Sequence, residues 1–285
     1  MSSALHLVAG CMLLVQAAGV PAEAAPLTAE QSRVLERVRT MALAYTQGLP
    51  DFICTQITHR SVTSRGNPAT GLTGVTTSSG ATNLSSLASG SGGGSDVIEE
   101  KLTFIKQAEH YEVLTVDGKK TSDAEHMQFQ GAISAGEFGS ALRHVFDPES
   151  QASFGWDREG SLHGQRVYIF TYKVPKEHGI FVIHSATGRQ IVAAHAGRIV
   201  VDAGTLQVVK IDSRLELPLD FPIEMGETTV EYRQEDIAGK RYTLPYHSEV
   251  SMEDRNFLYV NRIDFKDYHK FSTDSTILYD NPSPE

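Results

Sequence analysis

Gln165-Arg166-Val167-Tyr168-Ile169-Phe170-Thr171-Tyr172-Lys173-Val174 sets Tyr168, Phe170, Tyr172 and Val174 on one side of an extended chain. Successive side chains of a strand point to opposite faces, so this alternation predicts a strand with one buried face. The pattern continues downstream. Ile180–Ser185 and Gln190–Ala194 flank Thr187-Gly188, and Arg198–Asp202 turns at Ala203-Gly204 into Leu206–Leu217, where Val209, Ile211, Leu215 and Leu217 share a parity. Thr228–Arg233 turns at Ala238-Gly239 into Arg241–Met252, and Phe257–Phe271 follows with Tyr259, Ile263 and Phe265 in step. Period-two alternation broken by short glycine turns predicts an antiparallel meander from Gln165 to Phe271.

Upstream, Thr28 and Gln31 have the spacing of a capping box. Val34, Val38, Met41 and Tyr45 then recur at helical spacing, with Leu35 and Ala42 beside them, and Gly48 and Pro50 end the helix. Phe52–Thr63 switches to strand-forming residues. Residues 64–95 are rich in Gly, Ser and Thr, too poor in apolar surface to offset ordering, and are expected as a disordered excursion between strands. Asp96–Gln107 and Tyr111–Val116 read as two more strands, with a hairpin signal at Asp117-Gly118. Ser134 and Glu137 form a second capping-box pattern, opening a short helix through Ala141, Leu142, Val145 and Phe146.

The first 24 residues are a different material. Leu7–Val20 is nearly all apolar, and Ala22-Glu23-Ala24 has the small-residue pattern of signal-peptide cleavage, although Met1–His6 carries no Lys or Arg. The run is too short to span a bilayer, which takes about 20 apolar residues. Export to the periplasm or beyond is therefore expected, with cleavage after Ala24. Cys11 follows Val8-Ala9-Gly10 in a lipidation-like box, but apolar residues continue past it, which fits a cleaved leader better than an anchor. Cleavage leaves Cys54 as the one thiol, so no internal disulfide can form. The net charge is −10, and −9 once Glu23, the leader's one charge, is removed. An acidic chain without a basic stripe is unsuited to nucleic acid or an anionic membrane surface.

Motifs for catalysis are missing: there is no Gly-x-Ser-x-Gly elbow, no His-Glu-x-x-His and no phosphate loop closed by Gly-Lys-Ser/Thr. Cys54 and His59, five apart on one strand, point to opposite faces and cannot meet as nucleophile and base. His178, His184 and His195 lie near one another without a compact metal-ligand spacing. Glu99, Glu100, Asp264 and Asp267 supply carboxylates without a discernible pair. The remaining resource is aromatic: Phe52, Phe104, Tyr168, Phe170, Tyr172, Tyr232, Tyr259, Phe265 and Phe271 recur strand after strand. They either pack a solid core or line the concavity of a sheet that two modest helices do not fill.

Leu49-Pro50-Asp51-Phe52-Ile53-Cys54-Thr55-Gln56, Gly136-Glu137-Phe138-Gly139 and Tyr268-His269-Lys270-Phe271 resemble a group of secreted bacterial proteins over nearly all the mature chain. The order of elements resembles the periplasmic lipoprotein-carrier fold, the half-open barrel of outer-membrane lipoprotein sorting. That resemblance implies an α+β, mostly β fold: a single curved antiparallel sheet with helices on its concave side. The expected domain runs from 25 to 280, with a polar tail at 281–285. It also implies a non-enzymatic envelope protein, free of cofactor and metal, that binds a lipid or lipidated peptide. Tyr168, Phe170, Tyr172, Val209, Ile211, Ile263 and Phe265 are the expected cavity lining. The competing expectations are an interaction module with a filled core and a secreted hydrolase with a dispersed site.

Overall fold

The structure is a computed structural model that describes residues 26–65, 76–77, 93–120, 138–184 and 188–271. The expected leader with Cys11, the Ser134/Glu137 pair and the tail at 281–285 lie outside those residues.

Helix α1 (Ala29–Gly48) begins where the capping box sets it. The Gln31 amide donates to Thr28 Oγ1 at 3.2 Å, and the Thr28 amide donates back to Gln31 Oε1 at 2.9 Å. Its buried seam is Leu35, Val38 and Ala42, while Met41, expected on that stripe, is 38% exposed. Helix α2 (Ser140–Phe146) starts from Gly139, whose φ of 115° suits a residue without Cβ, and buries Leu142, Val145 and Phe146.

The first strands are β1 (Phe52–Ser64), β2 (Thr76–Thr77), β3 (Gly93–Ile105), β4 (Ala108–Val116) and β5 (Lys119–Lys120). After α2 come β6 (Ser153–Leu162), β7 (Gln165–Val174), β8 (Phe181–His184), β9 (Gln190–Asp202), β10 (Val208–Glu216), β11 (Ile223–Ile237), β12 (Lys240–Asp254) and β13 (Phe257–Lys270). Within the expected excursion at 64–95, Ser64 closes β1, Gly93–Ser95 open β3, and Thr76-Thr77 pair with Ile183 and His184; the rest lies outside the described residues.

All pairings are antiparallel and join into one 13-stranded sheet. Its main path runs β9-β10-β11-β12-β13-β1-β3-β4-β5, so the last strand pairs with the first. The β6–β7 hairpin and β8 both pair with β9. Among the described residues β5 and β6 do not pair with each other, so the sheet stays open, as a half-barrel does. The expected mostly-β fold class is the one observed.

One close approach shapes the sheet. A Cβ on Gly197 would lie 1.8 Å from the Asp212 carbonyl oxygen and 3.1 Å from the Tyr172 ring. Glycine lets β9 and β10 come together there while the Tyr172 ring crosses, bringing its hydroxyl 2.5 Å from Ser213 Oγ and 3.1 Å from the Asp212 carbonyl.

Candidate functional site

Cross-strand partners share a face, so the register draws the inner surface of the sheet. One row runs Phe170, Ile199, Ile211, Val230, Ser248, Ile263, Thr58, Ile98 from β7 to β3. At its β7 end this surface is apolar and capped by helices. Leu35, Val38 and Ala42 of α1 and Leu142, Val145 and Phe146 of α2 pack with Phe170, Tyr172, Ile199, Val201, Ile211 and Val230 into one core. At the β1 end Phe52, Cys54, Leu102, Phe104, Ile263 and Phe265 gather around Phe138.

Between α1 and the β10–β12 strands the packing leaves a cavity of about 320 Å³. That is near the lower end of small-molecule sites, about 300–1,000 Å³. Val38, Ala42 and Leu142 wall it from the helices, and Leu206, Val208 and Tyr232 wall it from the sheet. Met41, Gly48, Leu49, Arg241 and Tyr242 also border it. Polar groups on and beside its lining bond to one another. Gln234 Nε2 donates to Gln207 Oε1 at 2.8 Å and to Thr243 Oγ1 at 2.5 Å, Thr243 Oγ1 donates to Gln207 Oε1 at 2.6 Å, and the Tyr45 hydroxyl donates to the Thr243 carbonyl at 2.7 Å. An occupant therefore meets mostly apolar surface, with the Thr243 and Tyr45 hydroxyls already bonded.

The β1–β3 wall is built differently. Gln56, Thr58 and Arg60 of β1 face inward and are buried, in place of the purely apolar lining expected of the concavity. Arg60 grips Asp96 through both guanidinium and carboxylate edges, with Nε to Oδ1 at 2.7 Å. Gln56 Nε2 donates to Glu100 Oε2 at 2.8 Å. Burial raises the Glu100 carboxyl to about 7, although the Gln56 bond and the Arg60 charge pull the other way.

The seven expected lining residues scatter over this frame. Phe170, Tyr172 and Ile211 are buried in the core beneath the helices, and Tyr168 packs at its margin. Ile263 and Phe265 belong to the cluster around Phe138. Val209 is a correction: it packs with Val167, Ile169 and Val200, while Val208 and Ile211 lie together in the helix-capped core. A β-bulge between Val208 and Lys210 inserts one residue and turns Val209 to the other face. None of the seven borders the cavity. Its walls come from α1, α2, the 206–208 turn and the facing ends of β11 and β12, a convergence that no local pattern announces.

The groups weighed for chemistry separate too. Cys54 is buried and its thiol is pushed far up by desolvation, the reverse of an activated nucleophile, while His59 is exposed on the other side of β1. His195 meets not His178 but His144 of α2, a residue the sequence reading passed over: the rings are 5.9 Å apart at 27°. Burial, then the His144 charge, lowers His195 to about 4. Among the described residues no three His, Cys, Asp or Glu side chains converge as a metal site. Asp264 Oδ1 pairs with His247 Nδ1 at 2.8 Å, and Glu99 lies beside Thr115, apart from the inward Glu100.

No family model matches the chain, and no curated protein matches it. Solved structures similar to it include a DUF1329 family protein from Desulfovibrio piger, with 10% identity, a TM-score of 0.35 and coverage of 84% of this chain and 94% of that one. Another is a domain assigned to outer-membrane lipoprotein sorting from Vibrio parahaemolyticus, with 8% identity, a TM-score of 0.34 and coverage of 86% and 93%. A third is a LolA superfamily protein from Nitrosomonas europaea, with 12% identity, a TM-score of 0.32 and coverage of 82% and 91%. These neighbours include the class that the sequence resemblance named. Overlaps this shallow decide neither ligand nor activity, which rest on the chain's own residues. Among those described, no helix is long and apolar enough to cross a membrane.

Proposed function

We propose that this chain is an exported, non-enzymatic envelope protein that holds an apolar ligand, a lipid or the acyl part of a lipidated peptide, inside its half-barrel. The observation that carries the reading is the cavity of about 320 Å³ between α1 and the β10–β12 strands, walled largely by aliphatic and aromatic side chains. Transferring a hydrocarbon chain there from water yields roughly 25 cal/mol per Å² buried, enough for useful affinity without a charged contact. Export rests on the apolar leader and its Ala-x-Ala site.

The test is native mass spectrometry of the mature chain purified from a periplasm, with titration of a fluorescent apolar dye. Co-purified lipid near one per chain and saturable dye binding are expected. Met41→Trp and Ala44→Trp, both at exposed α1 positions bordering the cavity, should weaken the dye about tenfold with little change in Tm. A clean apo protein that ignores the dye overturns the reading. A second reading, an interaction module with a filled core, draws on the full burial of Phe170, Ile199 and Val201 under the helices. It stands if the dye does not bind.

A further inference from the structure

We infer that the occupant of the cavity is a single-chain amphiphile with an anionic head, its chain between α1 and the sheet and its head on Arg241. This rests on the proposed function and adds the class of ligand. Three observations carry it together. The volume of about 320 Å³ lies near the floor of the range for small-molecule sites, which suits one chain rather than two or three. Among the described residues Arg241 is the one ionised side chain that borders the cavity, while its cross-strand partner Asp236, whose Oδ1 accepts from the Gly239 amide, lies outside the lining. Arg241 is exposed, and among the described residues it makes no ion pair, as is also true of Arg33, Arg37 and Arg255, none of which borders the cavity.

Inside, the Thr243 and Tyr45 hydroxyls are already bonded within the protein. Gln207, Gln234 and Thr243 close on one another, and the Tyr45 hydroxyl is bound to the Thr243 carbonyl. A ligand that placed its head inward would strip that head of water without a partner, at substantial cost. One that left its head beside Arg241 would keep it hydrated and gain a charge-assisted hydrogen bond. The geometry therefore orients the ligand, chain inward and anion outward. A competing role for Arg241 is to face the carbonyl end of α1, whose last turn has no basic residue and whose Gly48 also borders the cavity. That role would be felt in stability and blind to the head of the ligand.

The experiment is competition for the bound dye at pH 7.5 by laurate, dodecyl phosphate, dodecanol and dodecylamine, on the mature chain and on Arg241→Gln. Laurate or dodecyl phosphate should bind about tenfold more tightly than dodecanol, and dodecylamine more weakly than dodecanol. Comparison of the two anions separates a carboxylate head from a phosphate head. In Arg241→Gln the anion preference should vanish while dodecanol affinity stays put. Equal binding of laurate, dodecyl phosphate and dodecanol to the unaltered chain overturns the inference and leaves the apolar carrier standing. So does a preference that survives Arg241→Gln, or a substitution that lowers Tm alone. Failure of every competitor and of the dye removes the carrier reading as well.

Discussion

The two ends of the inner face bury their side chains by opposite means. Under α1 and α2 the sheet offers Phe170, Ile199, Ile211 and Val230, which have nothing to satisfy but contact, and separate helices supply it. Along β1 and β3 the sheet offers Gln56, Arg60, Asp96 and Glu100, and the two strands satisfy each other across their own ladder. The apolar end depends on elements that must dock, and docking leaves a cavity. The polar end gains its Gln56–Glu100 and Arg60–Asp96 pairs when β1 and β3 pair. On the proposed function, ligand capacity belongs with the docked helices, while the polar wall is held by its own cross-strand pairs. The two ends also hold ionisable groups that respond to pH in opposite senses.

The largest expected effect is at the wall. Arg60 and Asp96 form a bidentate pair whose side chains keep only 7% and 10% of their surface. Arg60→Ala strands a buried carboxylate and should cost about 3–5 kcal/mol, whereas Arg60→Met with Asp96→Leu removes both charges and should cost far less. Urea midpoints at pH 7 for the single and double variants check this. A single-variant loss under about 1 kcal/mol would mean that the pair is solvated and the wall no different from a surface ladder.

Next in size is Glu100. Its folded value of about 7 exceeds the reference of 4.5, so the folded state takes up the proton more readily than the unfolded one. The linked stability is complete below about pH 4.5 and is lost as pH rises through 7, about 3 kcal/mol by pH 8. Glu100→Gln keeps an acceptor for Gln56 and removes the charge. It should raise stability by up to that amount at pH 8 and change little at pH 4.5, read from urea midpoints at the two pH values. Equal effects at both would assign the gain to packing.

This wall was partly written in the sequence. Gln56 and Arg60 are four apart, as Asp96 and Glu100 are in reverse order, so a single antiparallel register joins both complementary pairs. The signal needs the pairing of β1 with β3, and residues 66–92 intervene between their facing ends. Ile53 and Ile57 on the other parity of β1 hid it further, because they make the opposite face look like the inner one. Most strands of the meander were legible because alternation and glycine turns are local, although Gln190–Ala194 and Arg198–Asp202, read as two strands, are the single strand β9. Helix α1 was legible to its first residue because Thr28 and Gln31 cap it reciprocally. The bulge at Val208–Lys210 was not: two successive valines give no sign of which one turns out. The cavity was invisible for a deeper reason. It is the volume that five segments fail to fill, and no residue pattern encodes a gap.

The helical end supplies the smaller and opposite pH response. His195 keeps 1% of its surface, lies edge-on to Phe181 at 4.8 Å and stacks near His144 of α2. Its Nδ1 and the Nε2 of His144 are buried without a hydrogen-bond partner. Its folded value of about 4 lies below the reference of 6.5, so the unfolded chain takes up the proton first. The linked stability is complete above about pH 6.5 and is lost as pH falls through that value, about 2 kcal/mol of it by pH 5. His144 is lowered in the same direction by burial, so the two rings reinforce each other across the α2–β9 contact. His195→Leu removes the titration at similar volume beside Val174 and Leu215. Its stability should therefore fall less than that of the unaltered chain between pH 7.5 and pH 5, by about 2 kcal/mol in urea midpoints. Hydrogen exchange should place the acid-induced loosening in α2 and β9 and leave the β1–β3 ladder protected, because Glu100 gains its proton there as His195 is forced towards its own. Parallel pH profiles for variant and parent would show that the imidazole pair is solvated, and the two ends of the inner face would then differ in packing alone.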